Sequence, residues 1–291
     1  MDPSLSTSRP GSSAGATLTF IGTATSVLRL GGFTVLTDPN FVRRGQRVHL
    51  GYGLTSKRRT DPALMPAQLP RFDALLLSHL HGDHFDRVAR RELPKDPPVV
   101  TTEHAAKALR RWGFRGATGL EHWATWQADG AAERLRITAV PGQHGPAGVH
   151  RLLPPVIGSV IDLERADPHR SGGWRRDLRV YVTGDTLNVP RLRTVAERFP
   201  DVDVMVTHLG GTRVLGVLVT MDDRQGTDLV ERIRPRVVVP VHFDDYGVFR
   251  SPLADFVGEM SRRGHSARLR SVARGDTIDL FPSPTPGSCA P

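Results

Sequence analysis

The segment Leu75-Leu-Leu-Ser-His-Leu-His-Gly-Asp-His-Phe-Asp86 runs an apolar stretch directly into His79, His81, Asp83 and His84. Neutral imidazole nitrogens and ionised carboxylates are what a divalent metal of borderline softness binds when no thiol is at hand. In an extended segment, residues two apart face the same way, so His79 and His81 can hold one ion. A turn at Gly82 then aims Asp83 and His84 toward a second. Burying ionisable groups without a partner or a metal is costly, so a purely structural role explains this cluster poorly.

Other residues of the same types also follow apolar runs. Asp38 ends the stretch 33–37, and His144 follows the alternating stretch 134–140 in Pro141-Gly-Gln-His-Gly-Pro146. Asp185 follows 178–182 in Thr183-Gly-Asp-Thr186, His208 follows 202–206, and His242 follows 236–241, apolar after Arg236. A strand-end histidine taken alone is more often a satisfied polar group than a ligand. Several on one sheet edge come together, and loops at such an edge build sites. Asp185 could then bridge two cations, with His144 and His242 completing their coordination.

The elements that must position these residues can be read from periodicity and turn signals. Strands are expected over 17–21, 26–30, 33–37, 72–77, 99–101, 134–140, 156–163, 178–182, 202–206, 236–241, 268–272 and 277–281. Helices are expected over 103–112, 188–199 and 222–233, from a Ser251-Pro252 cap to 263, and over a short stretch capped by Asp86. Residues 40–70 show no periodicity, and between Pro39 and Thr60 lie Arg43, Arg44, Arg47, Lys57, Arg58 and Arg59 with no acid. A long loop in a compact domain tends to be functional or mobile. Its cations either recognise a phosphate or decorate a solvated loop.

The chain has 291 residues, 38% of them hydrophobic, enough for one large α/β domain or two small ones. Its formal net charge is +9, with a pI near 10.8. An anionic substrate, nucleic acid or a membrane surface would each fit that charge. The basic pairs are dispersed, however, as at Arg90-Arg91, Arg175-Arg176 and Arg262-Arg263. Compositional bias therefore explains the charge better than a nucleic-acid footprint, which should cluster. The only cysteine, Cys289, allows no intrachain disulfide, so the metal site must be thiol-free and a cytoplasmic location fits. No run of about 18 apolar residues exists to span a membrane. Residues 1–15 read as a disordered arm, 16–281 as one folded domain and 282–291 as a disordered tail.

The pattern His79-Leu-His81-Gly-Asp83-His84, then His144, Asp185 and His242, resembles the fingerprint of the metallo-β-lactamase superfamily. The resemblance covers Thr17 to about Phe281. It implies a four-layer αββα sandwich of two similar halves, with metals in a shallow cleft at one edge. It also implies that His79, His81 and His144 hold one metal, that Asp83, His84 and His242 hold the other, and that Asp185 bridges. Asp38 would sit behind the ligands and orient the cluster loop by hydrogen bonds. Leu36-Thr-Asp-Pro-Asn40, Asp61-Pro-Ala-Leu64 and Pro240-Val-His242 look more like the branch containing ascorbate-6-phosphate lactonases and N-acylphosphatidylethanolamine-hydrolysing phospholipase D.

The expected activity is hydrolysis of a small ester, lactone or phosphodiester by a hydroxide held between two divalent ions, with zinc the default and manganese or iron suited to similar donors. Asp83 would order the nucleophile or take its proton. His208 either contacts substrate, as a hydrogen-bond partner or proton donor, or merely ends its strand, and Gly210 and Gly211 would leave backbone amides near an oxyanion. Two alternatives stand beside this reading. One is a nucleic-acid phosphodiesterase, and the other is a catalytically silent module that uses metal for folding. The second is disfavoured because a structural zinc site closes on four ligands.

Overall fold

The computed structural model describes residues 15–51 and 53–281. The expected terminal arm, apart from Gly15, and the tail with Cys289 lie outside the described residues. Two large sheets form the centre. In the first, the strands run in the order Thr277–Asp279, Ala16–Gly22, Thr25–Leu30, Phe33–Thr37, Ala74–Leu76, Val99–Thr101 and Ala117–Gly119. In the second the order is Val237–Val241, Val204–His208, Trp174–Val182, Ile157–Ala166, Glu133–Pro141 and Thr125–Asp129. Each sheet passes from an antiparallel meander into parallel strands, which is the repeated plan of two similar halves.

Strict alternation along the strands explains the layering. Leu28, Val35, Leu76 and Val100 pack between the sheets, whereas their neighbours Val27, Leu36, Leu75 and Val99 face the outer helices. Strands buried on both faces read as continuous apolar runs, as these do. The helix Glu103–Arg111 buries Ala105, Ala106 and Leu109 on the outer face of the first sheet. The helices Asp223–Ile233 and Leu253–Arg262 cover the second through Leu229, Val230, Phe256 and Met260. The result is a four-layer αββα sandwich. Pro240 is accommodated because Val237–Val241 is an edge strand, where a missing N–H leaves no partner unpaired.

Parallel pairing gives neighbouring strands one direction, so their C-terminal ends share an edge. Phe33–Thr37 and Ala74–Leu76 deliver Asp38 and the histidine cluster to it, while Trp174–Val182, Val204–His208 and Val237–Val241 deliver Asp185, His208 and His242.

Several expected elements differ. Residues 268–272 do not form a strand, because the chain makes a 3-10 turn at Ser266–Arg268 and joins the sheet only through a bridge between Leu269 and Val238. Ser251 does not cap the last helix. Its hydroxyl accepts from Asp223 N–H at the start of the preceding helix, and Pro252 occupies the cap position without a side-chain bond. The helix expected over 188–199 is a 3-10 turn at Pro190–Leu192 leading into Arg193–Arg198. The aperiodic 40–70 segment contains a hairpin, Arg47–His49 with Thr55–Lys57, and a second unforeseen hairpin pairs Arg213–Val214 with Val217–Leu218. Among the described residues no helix is long and apolar enough to cross a membrane.

Candidate metal centre

The cluster loop leaves the Ala74–Leu76 strand and is fixed from behind by Asp38. One carboxylate oxygen of Asp38 accepts from the Ser78 N–H at 2.7 Å, and the other lies 3.3 Å from both His84 Nδ1 and His208 Nε2. Two glycines permit the close approach. A Cβ on Gly82 would meet the His49 carbonyl oxygen at 2.6 Å, and one on Gly184, at φ +62°, would meet the Ile157 carbonyl oxygen at 2.6 Å. Asp38, Thr23 and His242 hold positive φ values of 37°, 55° and 62°. Such strain in non-glycine residues persists where surrounding structure over-determines it, often at functional sites. Here the Thr23 carbonyl accepts from His242 N–H, and Thr23 N–H donates to Asp245.

The donor atoms of His79, His81 and His144 lie within 4.8 Å of one another, as do those of Asp83, His84 and His242. His79 Nε2 and His81 Nδ1 approach to 2.9 Å, and His84 Nε2 and His242 Nε2 to 3.2 Å. Asp185 stands between the groups. Its Oδ2 is 3.3 Å from His84 Nε2, 3.9 Å from His144 Nε2 and 4.0 Å from His79 Nε2, and its Oδ1 is 3.6 Å from His242 Nδ1. His144 is oriented by its Nδ1, 2.8 Å from the Val219 carbonyl oxygen, which leaves Nε2 toward the cluster.

The donor set fits divalent cations. His81 Nε2, Asp83 Oδ1 and Asp185 Oδ1 are buried with no hydrogen-bond partner, although buried polar atoms are normally satisfied. Burial, reinforced by neighbouring imidazoles, holds His79 well below the ordinary imidazole value and brings His81 to about 3. Both are thereby kept in the neutral form that ligates. Burial also disfavours charge on His84, yet Asp185, Asp38 and Asp83 together raise it well above its ordinary value. His242 is likewise raised against burial, chiefly by Asp185 and Asp83. The carboxylates thus draw positive charge into the site, the same demand that a bound cation meets.

His208 is 1% exposed and sits behind this shell. Its backbone N–H donates to Thr183 Oγ1 at 2.9 Å, its ring faces Asp38, and it does not line the cavity above the cluster. Gly211 N–H is committed to the Met221 carbonyl, so it is not free for an oxyanion.

Arg58, within the basic stretch, is not available to a ligand. It is buried, its NH1 donates to the Asn40 carbonyl at 2.9 Å and to Asn40 Oδ1, its NH2 lies 3.6 Å from Asp245, and its guanidinium faces the Tyr246 ring. Asn40 in turn donates to the Gly82 carbonyl and to Asp86, whose carboxylate caps the helix Arg87–Glu92. Arg58 therefore fastens the loop beneath the histidines. Arg43, Arg44, Arg47, Lys57 and Arg59 are exposed.

Above the donors lies a cavity of about 440 Å³ with His81, Asp83, His144 and Asp185 on its floor. Its walls include Leu50, Leu54, Leu152, Leu153, Val219 and Val248. Sequence reasoning missed these residues, since they fall in segments without a periodic signal.

A two-sheet sandwich that gathers histidines and aspartates at the ends of its parallel strands defines a metal-dependent hydrolase of the metallo-β-lactamase class. The profile described as "Beta-lactamase superfamily domain" matches residues 34–243, and the chain belongs to that family. Curated relatives include a UPF0173 metal-dependent hydrolase of Deinococcus radiodurans, 26% identical over 71% of this chain and 80% of the relative. Another, from Salinibacter ruber, is 25% identical over 90% of this chain and 99% of its own length. A solved structure of a possible metal-dependent hydrolase from Veillonella parvula shares the fold with a TM-score of 0.74 and 21% identity, covering 91% of this chain and 99% of that one. An isothiocyanate hydrolase from Delia radicum gut bacteria does so with a TM-score of 0.72 and 20% identity, over 90% and 98%.

Proposed function

We propose that this chain is a dinuclear metal-dependent hydrolase acting on a small ester, lactone or phosphodiester. His79, His81 and His144 would hold one divalent ion, Asp83, His84 and His242 the other, and Asp185 would serve both. The observation that carries this reading is the set of buried, unpartnered lone pairs at His81, Asp83 and Asp185 on the floor of an open cavity. Divalent ions held there would lower the pKa of water and polarise the attacked group. Zinc suits the nitrogen and oxygen donors, and manganese or iron suit them as well.

Asp83 has one oxygen 3.3 Å from His242 Nε2 and the other unpaired. Asp83 also lines the cavity, where a carboxylate oxygen not taken by a metal would order the attacking water or accept its proton. His144, fixed by the Val219 carbonyl, would hold its metal through Nε2 at the edge of the cavity. His208 acts only through Asp38, as a positioning residue. The likeness of Leu36-Thr-Asp-Pro-Asn40 to the lactonase and phospholipase D branch is the reason to try lactones and phosphodiesters together.

The test is elemental analysis of the purified protein alongside turnover of a panel of esters, lactones, thioesters and phosphodiesters. Asp83→Ala and Asp185→Ala should each lose at least one metal equivalent and turnover by about a thousandfold or more, the range expected when a unit of the catalytic machinery is removed. Either variant with full metal and full turnover would overturn the assignment.

A further inference from the structure

The cavity above the donors is built from three short, separate segments that share one property. The turn between Arg47–His49 and Thr55–Lys57 contributes Leu50 and Leu54, the chain after the 3-10 turn Val149–Arg151 contributes Leu152 and Leu153, and the hairpin Arg213–Val214 with Val217–Leu218 contributes Val214 and Leu215. Leu54, Leu152 and Leu215 are 46%, 61% and 100% exposed. Large apolar side chains gathered at one mouth mark a binding surface, whereas singly scattered ones need no explanation.

Among the described residues, the cavity lining carries a single side-chain cation, Arg213. Arg43, Arg44, Arg47, Lys57 and Arg59 do not line the cavity. Arg213 does, but its NH1 donates to the Gly216 carbonyl at 3.2 Å and its NH2 lies 4.0 Å from the Asp222 carboxylate. Apart from the floor donors and Thr55, Thr212 and Arg213, the described lining is hydrocarbon. A volume of about 440 Å³ is that of a small-molecule site.

We infer that the cavity binds an uncharged hydrocarbon arm of the substrate, an acyl, alkyl or aryl group seated against Leu50, Leu54, Leu152 and Val248 while the scissile bond rests on the floor. The inference rests on the hydrolase reading above and deepens it, since it names what the leaving or acyl portion must be. The exposed arginines of the 43–59 stretch play no part in recognition.

The experiment measures binding to the metal-loaded protein, independently of turnover. N-phenyl-1-naphthylamine, an uncharged fluorophore, is displaced by straight-chain primary alcohols of four to ten carbons, and the same chain lengths are offered as p-nitrophenyl esters. The dissociation constant of the alcohols should fall about fourfold per methylene until the cavity is filled, the factor that burying one CH₂ group supplies. Leu54→Asp and Leu152→Asp, both at exposed positions that leave folding intact, should weaken octanol by tenfold or more and flatten the series without loss of metal. Replacing Arg43, Arg44 and Arg47 by Ser should leave the series unchanged.

Displacement that ignores chain length overturns the inference, as do aspartate variants that bind octanol like the native protein. Esters cleaved at rates blind to chain length, with alcohol binding equally blind, would overturn it while leaving the hydrolase reading standing. A preserved alcohol series with no ester, lactone or phosphodiester turned over would support the apolar cavity and count against the proposed function.

Discussion

Beneath the floor of the cavity, His79, His84 and His242 are fully buried, and each group is held by partners from distant strands, as Asp38 is held between Ser78, His84 and His208. On the walls, Leu54, Leu152 and Leu215 stand on short turns and hairpins, largely open to solvent. Chemistry that needs donors placed within a few tenths of an ångström uses side chains locked by packing and hydrogen bonds. Recognition of hydrocarbon is non-directional, so it tolerates residues on adaptable loops. The two regions meet at His81, Asp83, His144 and Asp185, which belong to both.

The sharpest way to break that division is to unfasten the floor from beneath. Arg58 and Asp245 form a buried pair, with both side chains at 0% exposure, and Arg58 also holds Asn40, which binds the Gly82 carbonyl inside the cluster loop. Without Arg58, Asp245 keeps Arg274 as its remaining cation, but Asn40 loses its buried donor, at a cost of about 1–3 kcal/mol. Arg58→Met should therefore lower the denaturation free energy by that amount, while Arg59→Met, at an exposed position, should stay within about 0.5 kcal/mol of the native protein. Equal urea midpoints for the two variants would show that the latch does not carry the floor.

A milder change tests whether the floor is ordered from behind its donors. In Asp38→Asn the side chain loses its charge and turns an amide N–H₂ toward either Ser78 N–H or the rings of His84 and His208. Loss of such an orienting partner typically costs about 10–100-fold in metal affinity. Competition with a chelator at fixed free zinc should show that drop, and His208→Ala, one step further back, a smaller one. Native affinity in Asp38→Asn would make the aspartate a simple turn former.

The floor could be read from sequence because its residues are of telling types and each follows an apolar run, so strand direction alone brings Asp38, His79, Asp185 and His242 to one edge. The wall residues carry no such mark. Leu50 and Leu54 are ordinary apolar residues in a segment with no helix or strand period, and only the hairpin around them shows where they point. Arg58 was hidden differently. Within Ser56-Lys57-Arg58-Arg59 burial alternates as in a strand, with Ser56 and Arg58 inward and Lys57 and Arg59 outward. That period of two is visible once the hairpin is known, whereas a count of charges treats all the arginines alike. The helix expected over 188–199 failed in part because Pro190 favours a first turn but does not determine that the turn is α-helical.

The smallest expected effect concerns acid. Burial pushes the Asp245 carboxyl up, but Arg274 and Arg58, with a hydrogen bond from Thr60, hold it below the usual carboxylate range. A carboxyl depressed in the folded state stabilises the protein fully above its unfolded value, near 4, and that contribution is lost as the pH falls through the folded value. Arg274→Gln removes the nearer hydrogen-bonded cation, whose Nε lies 3.1 Å from Asp245, and so lets the folded value climb back. The gap in melting temperature between native and variant protein should therefore be constant above about pH 5 and shrink toward pH 3. Because Arg274 keeps 24% of its side chain exposed, solvent screening limits the gap to about 1 kcal/mol or less. That is roughly 2 °C or less for a chain of this size. Metal release in acid affects both proteins and cancels in the difference. A gap that persists unchanged to pH 3 would place the stabilising role of Arg274 in its packing and not in the charge it offers Asp245.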